Sequence, residues 1–296
     1  MTIIVMTGAT AGIGADAAMR LVDPGIRLIA GSRGAVVAGA ETLRLDLASL
    51  ASVRAFAMAV VDTLAGAPID ALVLNAGGQR GDVEARSADG HELTFATNHL
   101  AHYLLARLLL PHMAEGGRIV ITTSDTHDPA EKTGVPPPRH ADAGWLANPA
   151  GDPRRDPASR TAGMRAYSAS KLCNVMTARS LAALPDVTAR RISVIAYNPG
   201  LTPGTALVRD QPWAVRAFIW PLLPMLRPFV RFMNSLDAAG NALAGLATTT
   251  TPPTHRVYAS LRKGVLTWPE PSVLARDAAA TTKLWADSAA LVGLPE

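Results

Sequence analysis

Ile3-Ile4-Val5-Met6, an apolar run, passes directly into Thr7-Gly8-Ala9-Thr10-Ala11-Gly12-Ile13-Gly14. The first four residues have the make-up of a buried β-strand, and the glycines open a helix that Ala15 to Leu21 continues. Glycine has no Cβ, so backbone N–H groups and a helix N-terminus can approach a pyrophosphate closely. Gly8, Thr10, Ala11, Gly12, Ile13 and Gly14 are therefore the expected phosphate side of a dinucleotide cradle. Far downstream, Tyr167-Ser168-Ala169-Ser170-Lys171 sets a phenol and an ammonium four residues apart, on one helical face. The positive charge is expected to draw the phenol's pKa toward neutrality and make Tyr167 a proton donor for a carbonyl. Either motif alone is weak, but both in this order point to redox chemistry on a dinucleotide.

The intervening sequence alternates strands and helices. Ile26 to Ala30 is a second strand, ending at Gly31-Ser32-Arg33, where an acidic residue would ordinarily hold the adenosine ribose hydroxyls. None stands there. Arg33 offers a planar fork suited to a 2′-phosphate, which favours NADP(H) over NAD(H); a solvated surface arginine is the plain alternative. Thr42 to Leu45 is a third strand, followed by Asp46 and Leu47. Asp46 either accepts from the adenine amino group, caps the helix Ser49 to Leu64, or does both. So few residues separate Arg33 from Asp46 that the crossover helix between these strands must be short.

Ala71 to Leu74 is a fourth strand closing on Asn75-Ala76-Gly77-Gly78, a small-residue turn at a strand's carboxyl end, where open α/β sheets bind ligands. Leu93 to Met113 reads as a long helix with Asn98 inside it; that asparagine either bends the helix, holds a water or is a chance surface polar residue. Arg118 to Thr122, a fifth strand, runs into Thr123-Ser124. Tyr167 to Leu184 is a second long helix, Ile192 to Tyr197 a sixth strand before the turn Asn198-Pro199-Gly200, and His255 to Ala259 a seventh. This rhythm predicts one α/β domain over 1–296, a doubly wound parallel sheet of about seven strands with helices on both faces. Residues 125–165, with Pro136-Pro137-Pro138, read as an irregular excursion from it.

Composition narrows the class. Of 296 residues, 49% are hydrophobic and only 5% aromatic, which suits strands buried by helices on both faces. The net charge of +4 comes without a basic run, so no nucleic-acid surface is expected. A lone cysteine, Cys173, excludes an intrachain disulfide and reads as a small packed hydrophobe. His99 and His102 lack partners at metal-ligand spacing, so no metal site is expected, and His127 reads as a loop histidine, solvated or in reach of substrate. The chain runs straight into a strand without a secretion signal, and a cytoplasmic location is expected. Trp213 to Met233 is apolar but broken by Arg216, Arg227, Arg231 and three prolines. Its Trp213, Phe218, Trp220, Phe229 and Phe232 fit core packing, the wall of a hydrophobic substrate site or, less favoured, a peripheral membrane contact.

These motifs, with Asp46-Leu47, Asn75-Ala76-Gly77, Asn98, Ser124 and Asn198-Pro199-Gly200 in order, resemble the short-chain dehydrogenase/reductases over about residues 1 to 260. Asp89-Gly90-His91-Glu92, Thr97-Asn98-His99-Leu100-Ala101-His102 and Ser170-Lys171-Leu172-Cys173-Asn174 are similar to the retinol dehydrogenase and protochlorophyllide reductase branch. The resemblance implies a Rossmann fold, with Asn98, Ser124, Tyr167 and Lys171 acting as one catalytic unit. Tyr167 would exchange a proton with the substrate oxygen, Ser124 would bind that oxygen, Lys171 would hold the nicotinamide ribose and Asn98 a water. Ser32, Arg33, Asp46, Leu47, Asn75, Ala76 and Gly77 would line the adenosine half, and Pro199, Gly200, Leu201 and Thr202 the nicotinamide, with Thr202 or Thr205 meeting its carboxamide. The family threonine falls at Gly204. Residues 202–236 would cover a small hydrophobic carbonyl or alcohol. Light-dependent members carry cysteine after Pro-Gly where this chain has Leu201, so photochemical reduction is not expected. Many relatives dimerise through the two long helices, while the branch resembled also contains monomers; the resemblance leans slightly to a homodimer. A catalytically idle NADP(H) sensor is the rival, against which the intact Ser124, Tyr167 and Lys171 set argues.

Overall fold

The computed structural model describes residues 1–203 and 233–295. Seven strands run parallel: β1 (Thr2–Thr7), β2 (Ile26–Ser32), β3 (Glu41–Arg44), β4 (Ile69–Leu74), β5 (Met113–Thr122), β6 (Ser193–Asn198) and β7 (Tyr258–Arg262). An eighth strand, β8 (Val265–Thr267), pairs antiparallel with β7, giving the order β3-β2-β1-β4-β5-β6-β7-β8. It escaped the sequence pattern because it is three residues long and joined by Lys263-Gly264, both at positive φ, a two-residue hairpin.

Ile4, Val5 and Met6 are wholly buried, as a central parallel strand covered on both faces requires. One face carries α2 (Leu50–Leu64), α4 (Ala101–Leu109), α6 (Ser159–Ala183) and α9 (Ala278–Leu291), around a core containing Phe56, Tyr103 and Leu172. The other carries α1 (Gly12–Leu21) and α8 (Leu236–Thr248), closing on Met6, Val73 and Tyr197. The chain steps outward from β1 to β3, then returns to place β4 beside β1. That reversal opens a crevice at the carboxyl ends of the strands.

Three expectations about elements change. No helix joins β2 to β3: residues 33–40 are a loop that buries Val37 and donates its N–H to Thr42 Oγ1 at 3.1 Å. Eight residues are too few for a helix with two turns, and the buried valine does the covering. The excursion is ordered rather than structureless. It contains α5 (Ala143–Ala147), capped by Asp142, and its irregular part is tied by Asp156 to Arg139 (2.7 Å) and Arg165 (2.6 Å) and by His140 to Asp152 (2.9 Å). These pairs tie distant parts of the excursion to one another. Its end also belongs to α6, which starts at Ser159, a full two turns before Tyr167. Of the proposed covering segment, residues 204–232 lie outside the described residues, and with them Gly204, Thr205 and the aromatics from Trp213 to Phe232.

The outer face of the two long helices, expected to meet a second copy, is covered by the chain's own α9. Trp285 packs edge-on to Tyr103 with centroids 4.9 Å apart, Arg107 lies over Trp285 at 4.9 Å, and His99 Nε2 bonds Ser288 Oγ at 3.0 Å. Cys173 is buried, as a packed hydrophobe should be. Among the described residues no helix is long and apolar enough to cross a membrane, and no cluster of potential metal ligands occurs.

Candidate active site

A cavity of about 530 Å³ opens at the carboxyl edge of the sheet. The expected glycine-rich turn forms one wall: Gly8, Thr10, Ala11, Gly12, Ile13 and Gly14 all line it. Gly8 sits at φ +72°, and a Cβ there would stand 2.7 Å from the backbone of Ala76; at Gly14 it would stand 1.9 Å from Gly8 O. No other residue fits these two positions. Thr7 Oγ1 accepts the N–H groups of Asn75 and Ala76 at 3.1 Å, and Asn75 Nδ2 donates to Gly8 O at 3.3 Å, so the turns after β1 and β4 are tied together. Helix α1 begins without any side-chain cap. Its first N–H groups and the positive end of its dipole are thus left for an anion. An extended cavity with such an end fits a dinucleotide.

Ser32, Arg33, Asp46, Leu47, Asn75, Ala76 and Gly77 line the same cavity. Arg33 is exposed at its rim and forms no ion pair among the described residues. Ser32 Oγ accepts from Gly34 N at 3.1 Å. Asp46 is not the cap of α2: Ser49 Oγ takes that place, accepting from Ser52 N, while Asp46 Oδ1 accepts from Ala48 N at 3.0 Å.

Ser124, Tyr167 and Lys171 meet at the cavity wall after β5, together with Pro199, Gly200, Leu201 and Thr202. Both α6 side chains are buried. Burial pushes the Tyr167 phenol up to about 12, the nearby Asp125 charge adds to the rise, and a hydrogen bond with Ser124 opposes it. The expected drop toward neutrality is therefore not found. The ammonium lies 5.7 Å from the Tyr167 ring centroid and donates instead to Thr122 O at 3.1 Å, and its own burial lowers it to about 8. Thr123 Oγ1 donates to Lys171 O at 2.7 Å and Asn174 Nδ2 to Thr122 O at 3.1 Å, fastening this turn of α6 to the end of β5.

Asn98 stands behind the wall, wholly buried, within a π-helical turn (Ala96–Leu100) that joins α3 (Leu93–Phe95) to α4. Its amide donates to Gly78 O (2.8 Å) and Ser170 Oγ (3.0 Å), and its Oδ1 accepts from Gly78 N (2.9 Å). It buttresses the turn after β4. A neighbour missed in the sequence, His102, links this turn to the cradle: Nδ1 meets Asn98 O at 3.1 Å and Nε2 meets Thr7 Oγ1 at 3.0 Å. Thr7 Oγ1 already accepts two N–H groups, so its own proton points at Nε2 and the ring proton sits on Nδ1. Burial lowers His102 to about 4 and keeps it neutral. Its position four after Asn98 was the available signal.

His127 is not solvated, and it is not among the residues that line the cavity. It is buried, bonding Ser124 O through Nδ1 at 2.8 Å and accepting from Ser272 N at 3.3 Å, edge-on to Tyr258. Beyond β6, Asn198 Oδ1 accepts from Gly200 N at 2.9 Å, and Thr202 turns its hydroxyl back to Gly200 O at 3.3 Å. The cavity also takes in Gln79, Arg80, Thr94, Thr97, Thr133 and Val135, none anticipated, which make the described wall mixed rather than apolar.

Residues 2–134 match the family model for short chain dehydrogenases. Protochlorophyllide reductase A, chloroplastic, from Oryza sativa subsp. japonica is 31% identical, the alignment covering 99% of this chain and 81% of that protein. A crystal structure of an uncharacterised protein from Mycobacterium paratuberculosis superposes with a TM-score of 0.70 at 26% identity, covering 99% of this chain and 94% of the other. BdcA in complex with NADPH gives a TM-score of 0.56 at 25% identity over 83% and 86%.

Proposed function

This chain belongs to the short-chain dehydrogenase family, in the branch that holds the protochlorophyllide reductases, and from that premise we propose that it transfers hydride between NADP(H) and a hydrophobic carbonyl or alcohol. The observation that carries the proposal is the meeting of Ser124, Tyr167 and Lys171 on the wall of a cavity that also holds an uncapped helix start behind a glycine turn. Nicotinamide, when bound, supplies or takes the hydride. The Tyr167 phenol donates a proton to the substrate oxygen, and the Ser124 hydroxyl holds that oxygen for the transfer. A phenol raised by burial stays protonated at neutral pH and so holds the proton that reduction requires. Lys171, fixed by Thr122 O, presents a cation beside Tyr167 for the ribose hydroxyls.

Arg33 supports NADP(H) over NAD(H), and the NADPH complex of the similar BdcA agrees with that choice. Leu201 stands where light-dependent relatives carry cysteine, so the proposed reaction is thermal. Tyr167→Phe should lower kcat/KM toward a panel of hydrophobic ketones by about 100-fold or more, with NADPH affinity within about twofold of wild type. Full turnover in that variant would remove Tyr167 from the mechanism.

A further inference from the structure

Directly after Ser124, at the cavity wall, stands a carboxylate to which the chemistry above gives no part. Asp125 is 3% exposed, yet it lines the cavity. Arg262, the last residue of β7, grips it bidentately, at 2.7 and 3.2 Å. The same guanidinium reaches Glu131 at 2.6 Å, in the turn that opens the excursion. One cation thus serves two carboxylates, and the cluster keeps a net negative charge beside the Ser124–Tyr167 pair. Asp125 Oδ1 also accepts from Asn198 Nδ2 at 2.5 Å. Tyr258 Oη and Ser260 Oγ both stand 3.0 Å from that amide nitrogen and share its second N–H, while the amide oxygen holds Gly200 N.

We propose, resting on the hydride-transfer reading, that Asp125 is the positioning residue of this active site: it locks the turn bearing Ser124 to the turn bearing Gly200 and places a buried negative charge at the same stretch of cavity wall as Tyr167. Two features of the geometry require both roles. The backbone of β5 delivers Ser124 to the cavity, and the backbone of β6 delivers Pro199 and Gly200. Asp125 bonded to Asn198 is a side-chain link between those two strand ends, and Arg262 anchors it from a third strand. The carboxylate is also desolvated, so its field on Tyr167 is weakly screened. The charged and titratable groups around it are Arg262 and Tyr258 from β7, Glu131 from the following turn, His127 from its own turn and Tyr167 from α6. Burial keeps His127 neutral, so it leaves the sign of the cluster unchanged. Around Tyr167 the opposing cation is Lys171. The sign follows: burial already holds the Tyr167 phenol protonated, and a neighbouring carboxylate, which disfavours the phenolate, adds to that.

Asp125→Asn keeps the oxygen that accepts from Asn198 and from Arg262 Nη2, and removes the charge and the weaker second bond to Arg262. Asp125→Ser removes the charge and the link together. Tyrosine labelled with ¹³C at the ring ζ carbon, followed by NMR in cofactor-free protein up to about pH 11, reads the phenols directly, and Tyr167→Phe identifies the resonance. Both neutral variants should ionise earlier at Tyr167, by about half a pH unit or more. NADPH affinity, from fluorescence titration, should stay within about twofold in Asp125→Asn and fall about threefold or more in Asp125→Ser, where Asn198 and Gly200 lose their tie. An unmoved Tyr167 resonance in the folded variants, or equal affinities in the two, overturns the proposal even if Tyr167→Phe abolishes turnover. Because the resonance is read without turnover, failure of the hydride-transfer reading would show separately, as activity surviving Tyr167→Phe.

Discussion

At the scale of single residues, Arg33 carries the clearest consequence. It lies at the end of β2 on the cavity rim, where the adenosine half of a dinucleotide would pass, and no acidic residue competes for a ribose hydroxyl there. A guanidinium bonded to a 2′-phosphate contributes through charge-assisted hydrogen bonds worth about 1.5–3 kcal/mol. Arg33→Ala should therefore weaken NADPH binding by about tenfold or more and leave NADH binding within about twofold, read by isothermal titration of both cofactors. Equal losses would mean that the arginine meets something common to both. This residue was legible because strand, turn and guanidinium are adjacent in the chain. Asp125 was not: its partner Arg262 is 137 residues away, and nothing local marks an aspartate as paired with a residue beyond two further strands. The acidity of Tyr167 was misread for a related reason. Four-residue spacing reports that Lys171 is near, but not that burial outweighs its charge or that its ammonium is aimed at Thr122 O.

At the scale of elements, the π turn at Ala96–Leu100 is the joint on which the site hangs. It wedges an extra residue into the helix, turns Asn98 inward and lets its carbonyl accept from His102. His102 is neutral because burial lowers it to about 4 from an ordinary value of 6.5. The unfolded chain therefore binds a proton that the folded chain refuses. Stability falls as pH drops below about 6.5 and goes on falling to about 4, with a slope of about 1 kcal/mol per pH unit from this one group. His102→Gln, whose amide can donate to Asn98 O and accept from Thr7, should flatten that acid limb in urea melts at several pH values. A slope unchanged by the substitution would show that His102 does not titrate as its burial requires. The apolar spacing of Leu100, Leu104, Leu105 and Leu108 announced the helix, but a one-residue bulge leaves so short a pattern almost intact, and the π turn stayed hidden. The start of α6 was hidden because Ser159 to Arg165 is polar; most strands were read closely from apolar runs bounded by small-residue turns, but β5 starts at Met113, five residues before its reading, and β7 runs on to Arg262, three residues past its own.

At the scale of the whole molecule, α9 covers the face expected to meet a second copy. The long helices α4 and α6 present the face through which the sequence leads one to expect a dimer, and α9 lies on it. Leu284 and Ala289 are buried there, and Tyr103 donates to Trp285 O at 3.0 Å. The segment after the helix is fastened too, Arg54 donating to Val292 O at 2.5 Å and Arg107 to Pro295 O at 2.9 Å. Lys283 reaches Asp142 at 3.1 Å, so the excursion and the C-terminal helix form one cladding. A second copy could use this covered face only by displacing Trp285, Leu284 and these bonds. The protein should accordingly run as a monomer in light-scattering chromatography at micromolar concentration. Trp285→Ala, which removes a half-buried indole packed against both Tyr103 and Arg107, should cost about 2 kcal/mol, less than the 3–5 kcal/mol of a fully buried aromatic. If α9 is the barrier, that variant should also begin to self-associate as its concentration rises, because the bared Tyr103 is then the largest new apolar surface. A wild-type dimer whose mass is indifferent to Trp285→Ala would place the contact elsewhere and leave α9 a stabilising element alone.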